Sequence, residues 1–261
     1  MQRKIISFLF IGLLTLTACL PLESIPATET PIPTETTLPT PTIVWFPPSA
    51  TPTLLAFPTN TTMPEMNPGI GAKILTDNFS DDSVWDTAVS DQASAAISRN
   101  RLSLAVQPGV YLQSLRRDVT LGDFYAEITA RPSLCRGDDN YGLIVRAIGT
   151  YFYRFVLDCN RMIYVERINS GVKLILFDPV PSGDAPAGAP GEVKIGLWAV
   201  GKEMRLFLND RFQFSVIDKS FPSGALGLFA RSAGDTPMSV TFSDLTVYDV
   251  EYVAPTRTPS P

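Results

Sequence analysis

From residue 71 to residue 253 the chain predicts an all-β fold, a two-sheet antiparallel β-sandwich. Three observations carry that expectation. Short apolar-rich runs are separated by turn residues, and none keeps a 3.6-residue period over ten or more positions. One run alternates strictly, with Val193, Ile195, Leu197 and Ala199 on one face and Lys194, Gly196, Trp198 and Val200 on the other. About 180 residues holding a dozen or so strands suit one sandwich better than two domains.

The elements before the domain read in order. Residues 1–18 form a signal peptide, with Arg3 and Lys4 ahead of an apolar core from Ile5 to Leu16 that is too short for a stable membrane span. Leu16-Thr17-Ala18-Cys19 resembles the lipobox of bacterial lipoproteins. That resemblance implies diacylglycerol and an amide-linked acyl chain such as palmitate on Cys19. The bilayer is then a partner, and the chain sits extracytoplasmically in the bacterial cell envelope. Each buried methylene contributes roughly 0.8 kcal/mol, so two or three chains anchor stably where one does not. The plainer reading, an ordinary signal peptide with an incidental Cys, fits less well with the stalk-like composition behind Cys19. Residues 19–70 repeat Thr-Pro, Pro-Thr and Thr-Glu-Thr units and predict a disordered linker. At about 3.1 Å per extended residue it reaches on the order of 100 Å. The same bias returns in the tail, residues 254–261.

Composition narrows the chemistry. The chain holds 21 basic and 26 acidic residues; removing Arg3 and Lys4 with the signal leaves 19 against 26, a net charge of −7. That balance excludes a nucleic-acid partner. Histidine is absent, which rules out Ser-His-Asp and Cys-His catalysis, histidine metal sites and histidine pH switching. With Cys19 assigned to lipid, Cys135 and Cys159 remain, in a compartment that permits disulfides. Each ends a strand-like run, and no CxxC spacing favours a redox pair, so they are expected to bond to each other. Closing a loop of about 25 residues contributes roughly 3 to 4 kcal/mol in the chain-entropy model.

Within the domain, hairpins fall at Arg99-Asn100, around Ser170-Gly171 and at Asn209-Asp210. If the last is a two-residue turn, Phe207 faces Phe212; a longer loop changes that register. Val240, Phe242, Leu245 and Val247 mark the final strands less regularly, and residues 179–191, rich in Pro, Gly, Ala and Asp, read as a loop.

Five segments together resemble the concanavalin A-like lectin/glucanase superfamily. They are Asp77-Asn78-Phe79-Ser80, Asn140 to Arg146 followed by Tyr151 to Phe155, Leu206 to Asp210, Gly224 to Phe229, and Val240 to Leu245. The resemblance covers nearly the whole domain and implies a jelly roll with one concave and one convex sheet. Retaining glucanases of this superfamily carry Glu-x-Asp-x-x-Glu on a concave strand, supplying two carboxylates about 5 Å apart. No Glu of this domain has Asp two residues later; Glu127, Glu166, Glu192, Glu203 and Glu251 read as isolated solvated residues. The 3-keto-disaccharide hydrolase group, near the laminin-G-like domains, is also similar around Arg131, Asn140, Gly142 and Arg146. Where that group places Glu, Glu and Gln, this chain has Thr129, Arg154 and Val156.

The candidate ligand-binding set is therefore a face of side chains: Tyr125, Arg131, Arg146, Arg154 and Asp158, expected together on the concave sheet. Planar rings there stack on sugars while Arg and Asp bond hydroxyls. The alternative is cross-strand pairing on a solvated face. Trp198, opposite in parity to Val193, Ile195 and Leu197, is either a sugar platform or a packing residue under a loop such as 179–191, with packing favoured. Asp138-Asp139-Asn140 offers oxygen donors of the kind that bind Ca2+, but three adjacent residues without a spaced partner read as a turn, so no metal or cofactor is assigned. Asn60 and Asn78 head glycosylation sequons that carry little weight behind a bacterial lipobox. The expected function is a monomeric, envelope-anchored domain that binds carbohydrate or another envelope ligand without catalysis. A hydrolase of the 3-keto-disaccharide type, using Asp158 or Glu127 with Arg146, and a protein-interaction or spacer module are the alternatives.

Overall fold

The computed structural model describes residues 65–252. Cys19, the signal peptide and the tail lie outside the described residues, as does all but the last part of the linker. In chain order the strands begin β1 (Ile70–Asp77), β2 (Ala88–Val89), β3 (Ala93–Ser98), β4 (Arg101–Val106) and β5 (Tyr111–Leu115). There follow β6 (Phe124–Leu134), β7 (Asn140–Ile148), β8 (Tyr151–Asp158), β9 (Met162–Asn169) and β10 (Val172–Pro181). The last are β11 (Val193–Val200), β12 (Glu203–Leu208), β13 (Arg211–Ile217), β14 (Ala225–Arg231) and β15 (Met238–Val250). No helix occurs among the described residues.

These strands make two antiparallel sheets packed face to face. A nine-stranded sheet runs β13-β12-β11-β6-β15-β4-β3-β2, with β1 also paired to β15, and a six-stranded sheet runs β10-β9-β8-β7-β14-β5. The core between them takes alternate residues from both sheets, as a half-buried strand requires. Val193, Ile195, Leu197 and Ala199 of β11 and Tyr153, Phe155 and Leu157 of β8 all lie in it.

Turn chemistry sets the registers. Arg99, Asn100, Asn209 and Asp210 all have positive φ, as the central residues of a two-residue I′ turn must. The Asn209-Asp210 turn pairs Leu208 with Arg211, and Phe207 does face Phe212, with ring centroids 5.8 Å apart. The irregular spacing of Val240, Phe242, Leu245 and Val247 comes from a bulge at Asp244, whose extra residue lets all four reach the core. β10 extends to Pro181, so the loop expected over 179–191 begins only after that residue.

Two buried groups tie the chain near its start. The Asp77 carboxylate accepts hydrogen bonds from the Phe79 amide at 2.6 Å and the Trp85 indole at 2.8 Å, and pairs with buried Arg116. The Cys135–Cys159 disulfide joins the segment after β6 to the segment after β8, across the two sheets, with the Cα atoms 5.6 Å apart.

Candidate functional site

The five residues expected on one concave face are divided between two sheets. Tyr125 and Arg131 belong to β6 in the nine-stranded sheet; Arg146, Arg154 and Asp158 belong to β7 and β8 in the six-stranded one. They therefore form no common site. Tyr125 lies among Trp198, Phe207 and Tyr248 on the outer face of its sheet, and its hydroxyl donates to Glu127 at 2.9 Å. Burial, reinforced by the Glu127 charge, holds that phenol well above its ordinary range. Arg131 pairs with Glu192 at 2.6 Å and donates to Ser243 at 2.6 Å.

Arg146 departs furthest from expectation. Simple alternation puts it on the outer face with Ile144, but the β7–β8 register slips between Val145 and Ile148, and Arg146 sits at φ 53°. The bulge gives its outward place to Ala147, which joins Ile144, Phe152, Val156 and Phe229. The Arg146 side chain is 0% exposed and donates to the carbonyls of Gly201, Gly122 and Phe221 at 2.8, 3.0 and 3.3 Å. Burial lowers its pKa, with the Asp123 charge 3.8 Å away opposing the shift. Arg146 thus clamps loops at the end of the sandwich and has no free face for a ligand.

Asp158 is also spent within the fold. One of its oxygens accepts the amides of Asn160 at 2.9 Å and Met162 at 2.7 Å, closing the β8–β9 turn. Burial raises its pKa despite those bonds. Asp139, in the expected turn, accepts amides from Arg136, Ala233 and Gly234, so its oxygens staple the backbone. No group of three or more Asp, Glu or Cys residues placed to hold a metal occurs among the described residues. Trp198 is 1% exposed and packs, though not under the 179–191 loop. Its indole donates to the Pro68 carbonyl at 2.9 Å, Arg205 lies over its ring at 4.4 Å and Tyr252 meets it edge-on at 5.6 Å.

Arg154 alone among the five lines the depression on the outer face of the six-stranded sheet. This space of about 630 Å3 is bordered by Tyr111, Gln113, Thr150, Phe152, Arg154 and Ile168, with Lys173 and Arg231 at its sides. Local pairing explains the assembly. Phe152 stands opposite Ile168 and Arg154 opposite Glu166 across β8–β9, while Lys173 stands opposite Ile168 across β9–β10. Tyr111 pairs with Arg231 across β5–β14. The Arg154 guanidinium lies 5.2 Å from the Tyr111 ring centre and 5.0 Å from that of Phe229. Gly142 makes room here: a Cβ on it would strike the Phe155 carbonyl and sit 3.3 Å from the Phe229 ring.

Glu166, expected to be solvated, is 1% exposed. Its carboxylate pairs with Arg154 and, at 3.1 Å, with Lys173, which satisfies the charge that burial would otherwise penalise. Burial pushes the Tyr111 hydroxyl above its ordinary pKa against the pull of the Arg154 charge, and the hydroxyl donates to Gln113 at 2.9 Å. Sequence reasoning missed Tyr111, Gln113, Lys173 and Arg231. The period-2 spacing of Tyr111, Gln113 and Leu115 was a signal for the first two. The Ser170-Gly171 hairpin, extended to register, was the signal for Lys173.

No family model matches the chain, and no curated protein does. Solved structures do match. The carbohydrate binding module CBM66 from Bacillus subtilis aligns with a TM-score of 0.52 at 16% identity, covering 64% of this chain and 96% of that one. A protein of unknown function with a galectin-like fold, also from Bacillus subtilis, gives 0.51 at 15% identity over 70% and 99%. The fold is a concanavalin A-like jelly roll. The GH43 BlXynB protein from Bacillus licheniformis gives 0.51 at 13% identity, covering 67% of this chain, which spans only 39% of that protein. At such identities the likeness concerns the jelly roll itself, and chemistry has to be argued from the side chains.

The depression of this jelly roll presents an aromatic and aliphatic floor, amide and hydroxyl groups, and cations. Among the described residues no carboxylate lines it. Glu127 and Asp158, the alternative acids, stand on different sheets, and Arg146 reaches neither through a hydrogen bond among the described residues. Such a lining has the groups that stack on and hydrogen-bond a ligand.

Proposed function

We propose that the domain binds carbohydrate in the depression on the outer face of the six-stranded sheet and does not hydrolyse it. The observation that carries this reading is the lining itself. The Tyr111 ring, 37% exposed, provides apolar surface for the C–H face of a sugar, buried Phe152 forms part of the floor, and Gln113, Thr150 and Arg154 surround it with groups that bond hydroxyls. The superposition on a carbohydrate binding module supports the same reading. Anchoring through acylated Cys19, a site in the bacterial envelope and a monomeric domain belong to the proposal and rest on the sequence.

The test is calorimetric titration of the purified chain against neutral and acidic oligosaccharides, with product analysis of the same mixtures. Binding that weakens at least tenfold in Tyr111→Ala, with no new reducing ends, is the expected result. A folded chain indifferent to every saccharide overturns the binding reading, and release of product from a β-glucan or keto-disaccharide overturns the non-catalytic one.

A further inference from the structure

The depression carries an excess of positive charge that a neutral sugar does not need. Arg154, Lys173 and Arg231 line it, and the one carboxylate within reach, Glu166, is buried beneath Arg154 and Lys173. Among the described residues no carboxylate pairs with Arg231 at all, and the Lys173 side chain is 48% exposed. Three cations stand against one anion in a chain whose net charge is −5. Arg117, Arg131, Arg167 and Arg211 each have an acidic partner of their own, whereas Arg154 and Lys173 share the single carboxylate of Glu166.

An unbalanced cluster over an apolar floor costs self-repulsion unless a ligand supplies the missing charge. Arg231 offers a planar fork of donors that matches a carboxylate, and Lys173 offers a point charge across the same space. Glu166 fixes Arg154 in place, holding the guanidinium against the Tyr111 and Phe229 rings.

From this we infer that the ligand is an acidic carbohydrate, a sugar chain carrying carboxylates of the uronic-acid kind, with a ring on Tyr111, one carboxylate at Arg231 and another at Lys173 on the far side of the depression. The inference rests on the carbohydrate reading above and narrows it to a charged class.

The experiment compares sodium oligogalacturonate with its methyl ester, in which each charge is replaced by a methyl group, by titration calorimetry on the purified chain. The acid form is expected to bind about tenfold tighter, from two partly exposed charge contacts of modest size. Its affinity falls as salt rises from about 20 mM to about 300 mM, while that of the ester does not. In the double variant Lys173→Gln, Arg231→Gln, the acid and the ester bind alike; both positions are solvent-facing, and a near-ultraviolet circular dichroism spectrum checks the fold. Equal affinity for acid and ester in the unaltered chain overturns the inference and leaves carbohydrate binding standing. A preference for the acid that survives in the double variant overturns the assignment to these cations. No binding of either form or of any neutral saccharide overturns both readings together.

Discussion

Replacing Arg146 with Ala tests the claim that this residue is a structural clamp. The side chain is wholly buried and supplies hydrogen bonds to three loop carbonyls, those of Gly122, Gly201 and Phe221. Each such partly buried hydrogen bond contributes roughly 1 kcal/mol. Three of them, with the lost packing of a large side chain, bring the expected destabilisation to about 3 kcal/mol. The Nε–H of Arg146 has no partner, and its removal offsets a little of that loss. For a domain of this size about 3 kcal/mol lowers Tm by roughly 6 to 12 °C. Ala keeps the strain of a non-glycine residue at φ 53°, so Arg146→Gly should recover about 1 kcal/mol of what Arg146→Ala loses. Thermal denaturation followed by tryptophan fluorescence measures both variants, and calorimetry on the folded protein measures ligand affinity, which should not change. An unaltered Tm would refute the clamp. So would loss of ligand affinity at full stability, which would return Arg146 to the binding set.

Two other outcomes are expected. Replacing Cys135 and Cys159 together with Ser should lower stability by roughly 3 kcal/mol, read as a Tm difference that disappears when the unaltered chain is measured under reducing conditions; coincident melting curves with and without reductant would contradict it. Burial tends to raise the pKa of Asp218, but hydrogen bonds from Tyr153 and Ser220 and the charge of Arg167 outweigh it and hold the carboxyl below its ordinary value of 3.8. A group with a depressed folded-state pKa stabilises the fold above its unfolded pKa, and that contribution is lost as pH falls through the folded one. Urea midpoints should therefore drop more steeply below about pH 4 in the unaltered chain than in Asp218→Asn, and parallel profiles would contradict the assignment.

The parts of this fold that are written locally were readable in the sequence. Val193 to Val200 alternates because one face meets the core, and Asn209-Asp210 signals a two-residue turn because both residues tolerate positive φ. What could not be read was non-local. Nothing in β6 or β8 says that they belong to different sheets, so Tyr125 and Arg131 were placed beside Arg154 and Asp158. A single added residue at Arg146 reverses the parity of the rest of β7, and bulges leave no signature in composition. Glu166 reads as an ordinary surface acid until its two cationic partners, one from each neighbouring strand, are known.

The indole of Trp198 fixes the direction in which the domain presents itself. Pro68 accepts its hydrogen bond from just before the first strand, and Tyr252 packs against it just after the last, so both ends of the described domain meet on the outer face of the nine-stranded sheet. The depression opens on the opposite sheet. A carrier joined to either end leaves the depression uncovered, so several copies on one carrier keep their depressions free for the same polymer. Contacts too weak to retain a polymer singly then add along its length, because each captured unit raises the effective concentration of the next.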